Sequence, residues 1–216
     1  MNKYLKILLL GVLAGGAIAL GGLGNLCCIL AGQKILGSFV FSFGLLTVCG
    51  ASLFLFTGKI GYAFHKDGPR PLDLLFGYIG NLIGAAVLGL LIFAITKNNE
   101  ASVYGIAKNI AHSRDIIGGG EKWYEALLLS VLCGMLVFIA VDMFKRKPGP
   151  IGILCLIGAV AIFVAAGFEH CIANMFYYSL TNKWSYGLVL NIFITTIGNS
   201  IGALLIYFLT HFALDK

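Results

Sequence analysis

Charge is what this sequence has least of. Lysine, arginine, aspartate and glutamate make up only 11% of the 216 residues, whereas an ordinary soluble domain has about 25%. Hydrophobic residues make up 59%, and the mean hydropathy is +0.95. So few polar side chains cannot cover a water-facing surface, and so apolar a chain is not disordered. The composition therefore excludes a soluble enzyme and, despite a formal net charge of +6, a nucleic-acid-binding protein.

Proline and paired cysteines are also scarce. There are four prolines, and the six cysteines form no Cys-x-x-Cys pair. Structural zinc sites and disulfide frameworks need such paired spacings, so we predict neither a metal site nor a cofactor. The 29 glycines and 16 phenylalanines instead fit a bundle of closely packed transmembrane helices.

Six apolar stretches are long enough to cross a membrane, which takes about 20 residues. The predicted spans cover residues 7–30, 38–64, 72–96, 123–144, 151–180 and 186–212. The polar stretch 97–122 is predicted to be a loop. Six spans place both termini on the same side of the membrane. Nine of the 15 basic residues, including the run 145–147, fall on that side, and an excess of basic residues is typical of cytoplasmic segments. We expect a multi-pass protein of the inner membrane with both termini in the cytoplasm.

A short motif recurs in the two halves of the chain. Residues 80–85 read Gly-Asn-Leu-Ile-Gly-Ala, and residues 198–203, 118 positions later, read Gly-Asn-Ser-Ile-Gly-Ala. Each lies in the third span of a three-span half, and an odd number of spans gives the halves opposite orientations. The sequence predicts an all-α membrane protein of two inverted three-helix repeats, about 7–96 and 123–212, within one channel domain, 1–216.

The second and fifth spans are predicted to be broken. Glycines recur through the second span, and Gly167-Phe168-Glu169-His170 interrupts the fifth. Ionisable residues deep in an apolar segment are costly and indicate a functional site, whereas at a helix end near the interface both would simply be solvated. Imidazole suits proton exchange near neutral pH. We expect Glu169 to turn away from a pore and to accept bonds from backbone N–H groups at the break.

Residues 166–176, Ala-Gly-Phe-Glu-His-Cys-Ile-Ala-Asn-Met-Phe, closely resemble the signature of the formate/nitrite transporter family. Residues 55–58 and the two Gly-Asn pairs are also similar to that family, and the resemblance covers nearly the whole chain. It implies an aquaporin-like bundle of six helices. It also implies a homopentamer with one pore in each protomer and lipid in the central gap.

The resemblance also implies site residues. His170 matches a central pore histidine, Thr57 its hydrogen-bonding partner and Asn199 a polar pore residue, and Glu169 completes this proton-exchange group. The implied constriction residues are Phe41, Leu45, Phe56, Phe163 and Val137.

Two positions depart from the family pattern. Members carry an asparagine where this chain has Gly134, so a buried polar partner is missing. They also place a vestibule lysine where this chain has Gly118; Lys122, helped by Arg114, is the expected replacement.

Together these observations favour a channel for a small monovalent anion and its conjugate acid. Formate and nitrite are the expected substrates, neutralised near His170 by a proton from water or from the imidazole, because a bare anion is costly to desolvate between apolar rings. The alternatives are a hydrosulfide channel, a pore for a neutral solute such as ammonia or water, and a non-transporting scaffold or enzyme subunit. An enzyme would need a second cluster of catalytic groups, and the sequence contains no such cluster. The expected partners are the anion, membrane lipid and further copies of the chain.

Overall fold

The computed structural model describes residues 2–214, and within this range the chain forms helices and no strand. The helices are α1 (Lys3–Leu30), α2 (Lys34–Gly50), α3 (Phe56–Lys59), a 3-10 turn (Ile60–Tyr62), α4 (Pro71–Thr96), α5 (Val103–Arg114), α6 (Trp123–Arg146), α7 (Pro150–Ala165), α8 (Cys171–Thr181) and α9 (Tyr186–Leu214). The prediction of an all-α chain is confirmed.

Among the described residues, four helices are long and apolar enough to cross a membrane. These are α1, α4, α6 and α9, and α2 and α7 are shorter apolar helices. Large apolar side chains such as Leu13, Ile83 and Phe193 are exposed along three of the long helices. An apolar surface of this extent requires lipid or a neighbouring protein surface to cover it.

Both predicted interruptions are present as breaks in the helices. The helical path leaves α2 at Gly50 and resumes at Phe56, and it leaves α7 at Ala165 and resumes at Cys171. Gly167, in the second break, has a φ of 74°, a left-handed conformation that glycine adopts without strain. Each break leaves helix-terminal backbone groups that need partners.

One prediction was wrong, because the stretch 97–122 is not a simple loop. It contains α5, whose N-cap Ser102 accepts a hydrogen bond from the backbone N–H of Tyr104. Val103, Ala107 and Ala111 recur at every fourth position and form the buried face of this helix. The cap and the spacing were visible in the sequence, but the many polar residues around them concealed the pattern.

The packing of α1 on α4 is repeated by α6 on α9. Gly15 lies against the main chain of Asn81, and Gly134 lies against the main chain of Asn199 in the same way. A side chain at either glycine would collide with backbone, which gives Gly134 a structural reason to differ from asparagine.

The same register continues along both helix pairs. Gly84 lies against the carbonyl of Val12, and Gly202 lies against the carbonyl of Val131. The offset between matching residues is 118 from α4 to α9 and 119 from α1 to α6. The repeat seen as six letters in the sequence therefore corresponds to a repeated helix interface.

Candidate functional site

Asn81 joins the ends of the first break. Its side-chain Nδ2 donates to the carbonyl of Phe54 at 2.8 Å and to that of Gly11 at 2.9 Å. Its Oδ1 accepts from the backbone N–H of Phe56 at 2.8 Å. One buried amide thus satisfies backbone groups on both sides of the break and ties them to α1.

Asn199 makes the equivalent three bonds at the second break. Its Nδ2 donates to the carbonyls of Glu169 and Ser130, both at 2.8 Å, and its Oδ1 accepts from the N–H of Cys171 at 3.0 Å. The side chain is fully buried, and all three contacts are to backbone. The geometry makes Asn199 a clamp on the break.

His170 lies at the second break and caps α8. Its Nδ1 accepts a hydrogen bond from the backbone N–H of Ala173 at 3.2 Å, and its Nε2 lies 2.9 Å from Oγ1 of Thr57. Because Nδ1 accepts, a neutral ring carries its proton on Nε2 and donates it to the threonine. The two breaks therefore meet at one buried hydrogen bond between Thr57 and His170.

Two cavities open at opposite ends of the bundle. The loop-end cavity, named for the stretch 97–122, has a volume of about 180 Å³ and is lined by residues that include Lys34, Phe41, Arg114, Phe163 and His170. The opposite cavity has a volume of about 390 Å³ and is lined by residues that include Val48, Leu55, Gly58, Lys59 and Lys145. His170 forms part of one cavity, and Gly58, which follows Thr57, forms part of the other.

Buried apolar side chains separate the two cavities. Phe41, Leu45 and Val48 follow one face of α2 from the first cavity to the second, a rise of about 10 Å. Val137 of α6 is 1% exposed, and Leu55 is 2% exposed, in the same apolar cluster. Three of the predicted constriction residues, Phe41, Leu45 and Val137, thus belong to the buried apolar cluster. So do Val48 and Leu55, which the sequence analysis did not single out.

The other two predicted constriction residues, Phe163 and Phe56, belong to different apolar clusters. Phe163 lies between Phe41 and His170, with ring centroids 5.8 Å and 5.9 Å away. Phe56 packs instead with Ile7, Phe54 and Leu74 in a separate cluster between α1 and α4. Phe163 thus covers the imidazole from the loop end.

Glu169 turns away from the Thr57–His170 bond, but its predicted partners were wrong. Its Oε1 lies 2.5 Å from Nε of Arg114, and its Oε2 accepts from Nδ2 of Asn174 at 2.6 Å. Arg114 also donates to Oδ1 of Asn174 at 2.6 Å, and its guanidinium lies over the ring of Tyr177. The partner is an arginine rather than backbone because Asn199 already holds the backbone at this break.

A second carboxylate reaches this cluster through another asparagine. Asn191 accepts from Asn174 at 2.9 Å and from the hydroxyl of Tyr178 at 2.7 Å, and its Nδ2 donates to Glu121 at 2.7 Å. Glu121 precedes α6 and is half-buried. Burial is the main cause that raises the pKa of Glu121 to about 8, the charge of Glu169 adds to it, and Arg114 opposes it.

The structure brings Arg114 and Lys34, rather than Lys122, to the loop-end cavity. Lys122 is exposed and precedes α6, where its backbone N–H donates to Glu125 at 2.9 Å. Its ammonium lies over the ring of Tyr124. The sequence gives little signal for Lys34, since its proximity to the site depends on how α2 packs.

Comparison with known proteins identifies the family. Residues 1–213 match the sequence profile of formate/nitrite transporters. This chain belongs to the formate/nitrite transporter family. The resemblance carried by residues 166–176 is thereby confirmed, and the matching proteins are named as channels and transporters, not as enzymes.

Curated relatives give the same family. The formate channel FocA of Escherichia coli (strain K12) is 33% identical over 156 residues, covering 66% of this chain and 52% of that protein. A probable formate transporter of Methanothermobacter thermautotrophicus is 27% identical over 239 residues, covering 91% of this chain and 84% of that protein. The chain thus spans about half the length of the FocA proteins that it matches.

Two solved structures share the fold. One, described as a pentameric formate channel with formate bound, superposes with a TM-score of 0.83 at 23% identity, covering 98% of this chain and 97% of that one. Another, described as an FNT family ion channel, gives 0.77 at 21% identity, covering 99% and 90%. At this level of identity the likeness concerns the fold.

Proposed function

We propose that the chain is a channel for a small monovalent anion and its conjugate acid, with the pore running between the two cavities past His170. The observation that carries the proposal is the buried hydrogen bond between Thr57 and His170. It lies within the apolar barrier that separates the two cavities. The names of its relatives favour formate as the first substrate to test.

The apolar barrier determines which form of the substrate crosses. Transferring a small ion from water to a medium of low dielectric costs of order 20 kcal/mol in the idealised case, and much less once the ion is neutralised. Phe41, Leu45 and Val137 offer an anion no hydrogen-bond donor. The conjugate acid is therefore the species that passes, and the anion is protonated before it reaches the barrier.

His170 serves as the hydrogen-bond donor at the point of neutralisation. The cap bond from Ala173 occupies Nδ1, so its exchangeable proton is on Nε2, at the bond to Thr57. An anion that displaces the threonine accepts this hydrogen bond, and a proton delivered from water in the loop-end cavity neutralises the anion while the ring holds it in place. Lys34 supplies positive charge that brings the anion into this cavity, whereas the charge of Arg114, which also lines it, is matched by Glu169.

The proposal extends to architecture and assembly. The repeated clamps of Asn81 and Asn199 and the constant offsets of the helix interfaces support two inverted three-helix repeats in one channel domain. We propose a homopentamer in the inner membrane with lipid at its centre, both termini in the cytoplasm and the loop end outside. The exposed apolar faces of α1, α4 and α9 provide the surface that such an assembly covers.

Uptake by proteoliposomes tests the function. Formate, nitrite and hydrosulfide are compared side by side, and water and ammonia permeability are measured by light scattering in the same vesicles. We expect saturable uptake of at least one anion, faster at acidic external pH. Flux of water or ammonia without any anion uptake would contradict the proposal and identify a pore for neutral solutes.

A further inference from the structure

Two carboxylates of the loop end are joined through two asparagine side chains. Glu121 accepts from Asn191, Asn191 accepts from Asn174, and Asn174 donates its other N–H to Glu169. Arg114 donates to the side-chain oxygen of Asn174, so hydrogen bonds fix the orientation of both amides. A change of charge at Glu121 is therefore transmitted to Arg114 and Glu169 through an ordered network.

The charges in this network do not balance. Arg114 is already matched by Glu169 at 2.5 Å, which leaves Glu121 as a surplus negative charge. The titratable groups that act on Glu121 are Glu169 at the break, Arg114 of α5 and Glu125 of α6. Tyr178 of α8 reaches it through Asn191. The proposed function leaves Glu121 without a role.

We propose that Glu121 is a proton-sensing carboxyl that sets the charge which the loop-end cavity presents to an arriving anion. When Glu121 is ionised, the three groups sum to one negative charge and oppose the attraction of Lys34. When it is protonated, they sum to zero, and the cavity becomes more positive. The inference rests on the proposed function, because it assumes that the anion enters through this cavity.

The environment of Glu121 favours this role. Its surroundings raise its pKa to about 8, so its protonation changes with external pH above neutrality. Glu121 gains or loses one unit of charge when it titrates. At an effective dielectric constant of about 20 to 80, that charge changes the concentration of anion in the loop-end cavity roughly two- to ten-fold. The effect favours entry of the anion as the external pH falls through about 8, and it is nearly complete at neutrality.

The test compares Glu121→Gln with the wild-type channel in proteoliposomes at low ionic strength. Glutamine keeps an oxygen that accepts from Asn191 but has no charge. The ratio of variant to wild-type formate uptake should be about one near pH 6 and roughly two- to ten-fold near pH 9. The matched control is Glu100→Gln, an exposed carboxylate paired with Lys108, whose ratio should stay at about one throughout. A Glu121→Gln ratio of about one at both pH values would overturn the proposal.

Infrared spectroscopy provides a readout that does not depend on transport. The wild-type protein should show a protonated-carboxyl band that disappears on titration through about pH 8, and Glu121→Gln should lack it. If that variant fails to assemble, Glu121→Asp should shift the same band. A wild-type protein without such a band would refute the proposal even if formate is transported. If the band titrates as expected but no anion is taken up, the proposed function fails instead.

Discussion

At the first break, residues 51–55, the amide of Asn81 binds Phe54 and Phe56; at the second, residues 166–170, the amide of Asn199 binds Glu169 and Cys171 in the same arrangement. The first break nevertheless carries apolar side chains and one hydroxyl, whereas the second carries a carboxylate and an imidazole. The repeat thus provides two equivalent helix breaks, each held by an asparagine side chain. The ionisable side chains are found at only one of these two breaks. The broken backbone is therefore satisfied by different residues from those to which we assign the handling of a proton.

The charged break is also supported by a segment that the first break lacks. Arg114, at the end of α5, reaches Glu169, and Asn174 and Asn191 connect the pair to Glu121. The side chains of residues 51–55 are uncharged, and no ion pair in the described part of the chain involves them. Part of the asymmetry between the breaks therefore comes from residues 97–122, between the two halves, which supply Arg114 and Glu121.

Removing a clamp gives the largest expected effect. Asn81→Leu and Asn199→Leu each leave three buried backbone groups without a partner, at about 1–3 kcal/mol for each group. Both variants should lose much of the folded protein, and what remains should melt far below the wild type in detergent. The control is Asn98→Leu, which is exposed and should melt normally. The equivalence of the breaks would be wrong if one clamp variant were as stable as the control.

Breaking the ion pair should come next and should affect only the second break. Arg114→Met leaves Glu169 as an unpaired buried charge and should cost about 3–5 kcal/mol, most of which the double variant Arg114→Met/Glu169→Gln recovers. Lys108→Met, which breaks an exposed pair, should cost at most about 1 kcal/mol. Equal melting temperatures for Arg114→Met and Lys108→Met would show that the buried pair is not needed for stability.

The pH dependence of stability sharpens the comparison further. The ordinary pKa of Glu121 is 4.5 and its folded value is about 8, so the folded protein holds a proton that the unfolded chain releases. The stabilising contribution is complete below about pH 4.5 and is lost as the pH rises towards 8. We expect the melting temperature of the wild type to fall across this window and that of Glu121→Gln to fall less. Parallel curves for the two proteins would contradict the assignment.

The smallest expected effect concerns the exposed cations of the loop end. Lys34 lines the cavity and Lys122 does not, so Lys34→Gln should reduce anion uptake about two-fold at low salt and Lys122→Gln should leave it unchanged. Adding salt should remove the difference between the variants. An equal loss of anion uptake in Lys122→Gln would show that charge anywhere on the loop end, and not specifically in the cavity, attracts the anion.

The sequence predicted the features that depend on local pattern. The four long apolar helices, the two breaks, the Gly-Asn repeat and the pair of Thr57 with His170 could all be named from motifs, the last through family resemblance. The partner of Glu169 could not, because Arg114 is 55 positions away and only the packing of α5 on α8 brings it close. Asn174 stands within the recognised motif, yet its role depends on Asn191 of another helix. Long-range polar contacts of this kind have no periodic signature.

Uptake as a function of external pH in His170→Asn tests the central claim most directly. Asparagine is a good N-cap and keeps a donor and an acceptor, so α8 should remain capped while the imidazole at the point of neutralisation is lost. Between about pH 7 and pH 5, below the range in which Glu121 titrates, wild-type uptake of formate should rise as the pH falls. We expect His170→Asn to assemble normally and to lose this rise. An unchanged rise in the variant would mean that the anion is protonated in bulk water, and that His170 serves only to cap α8.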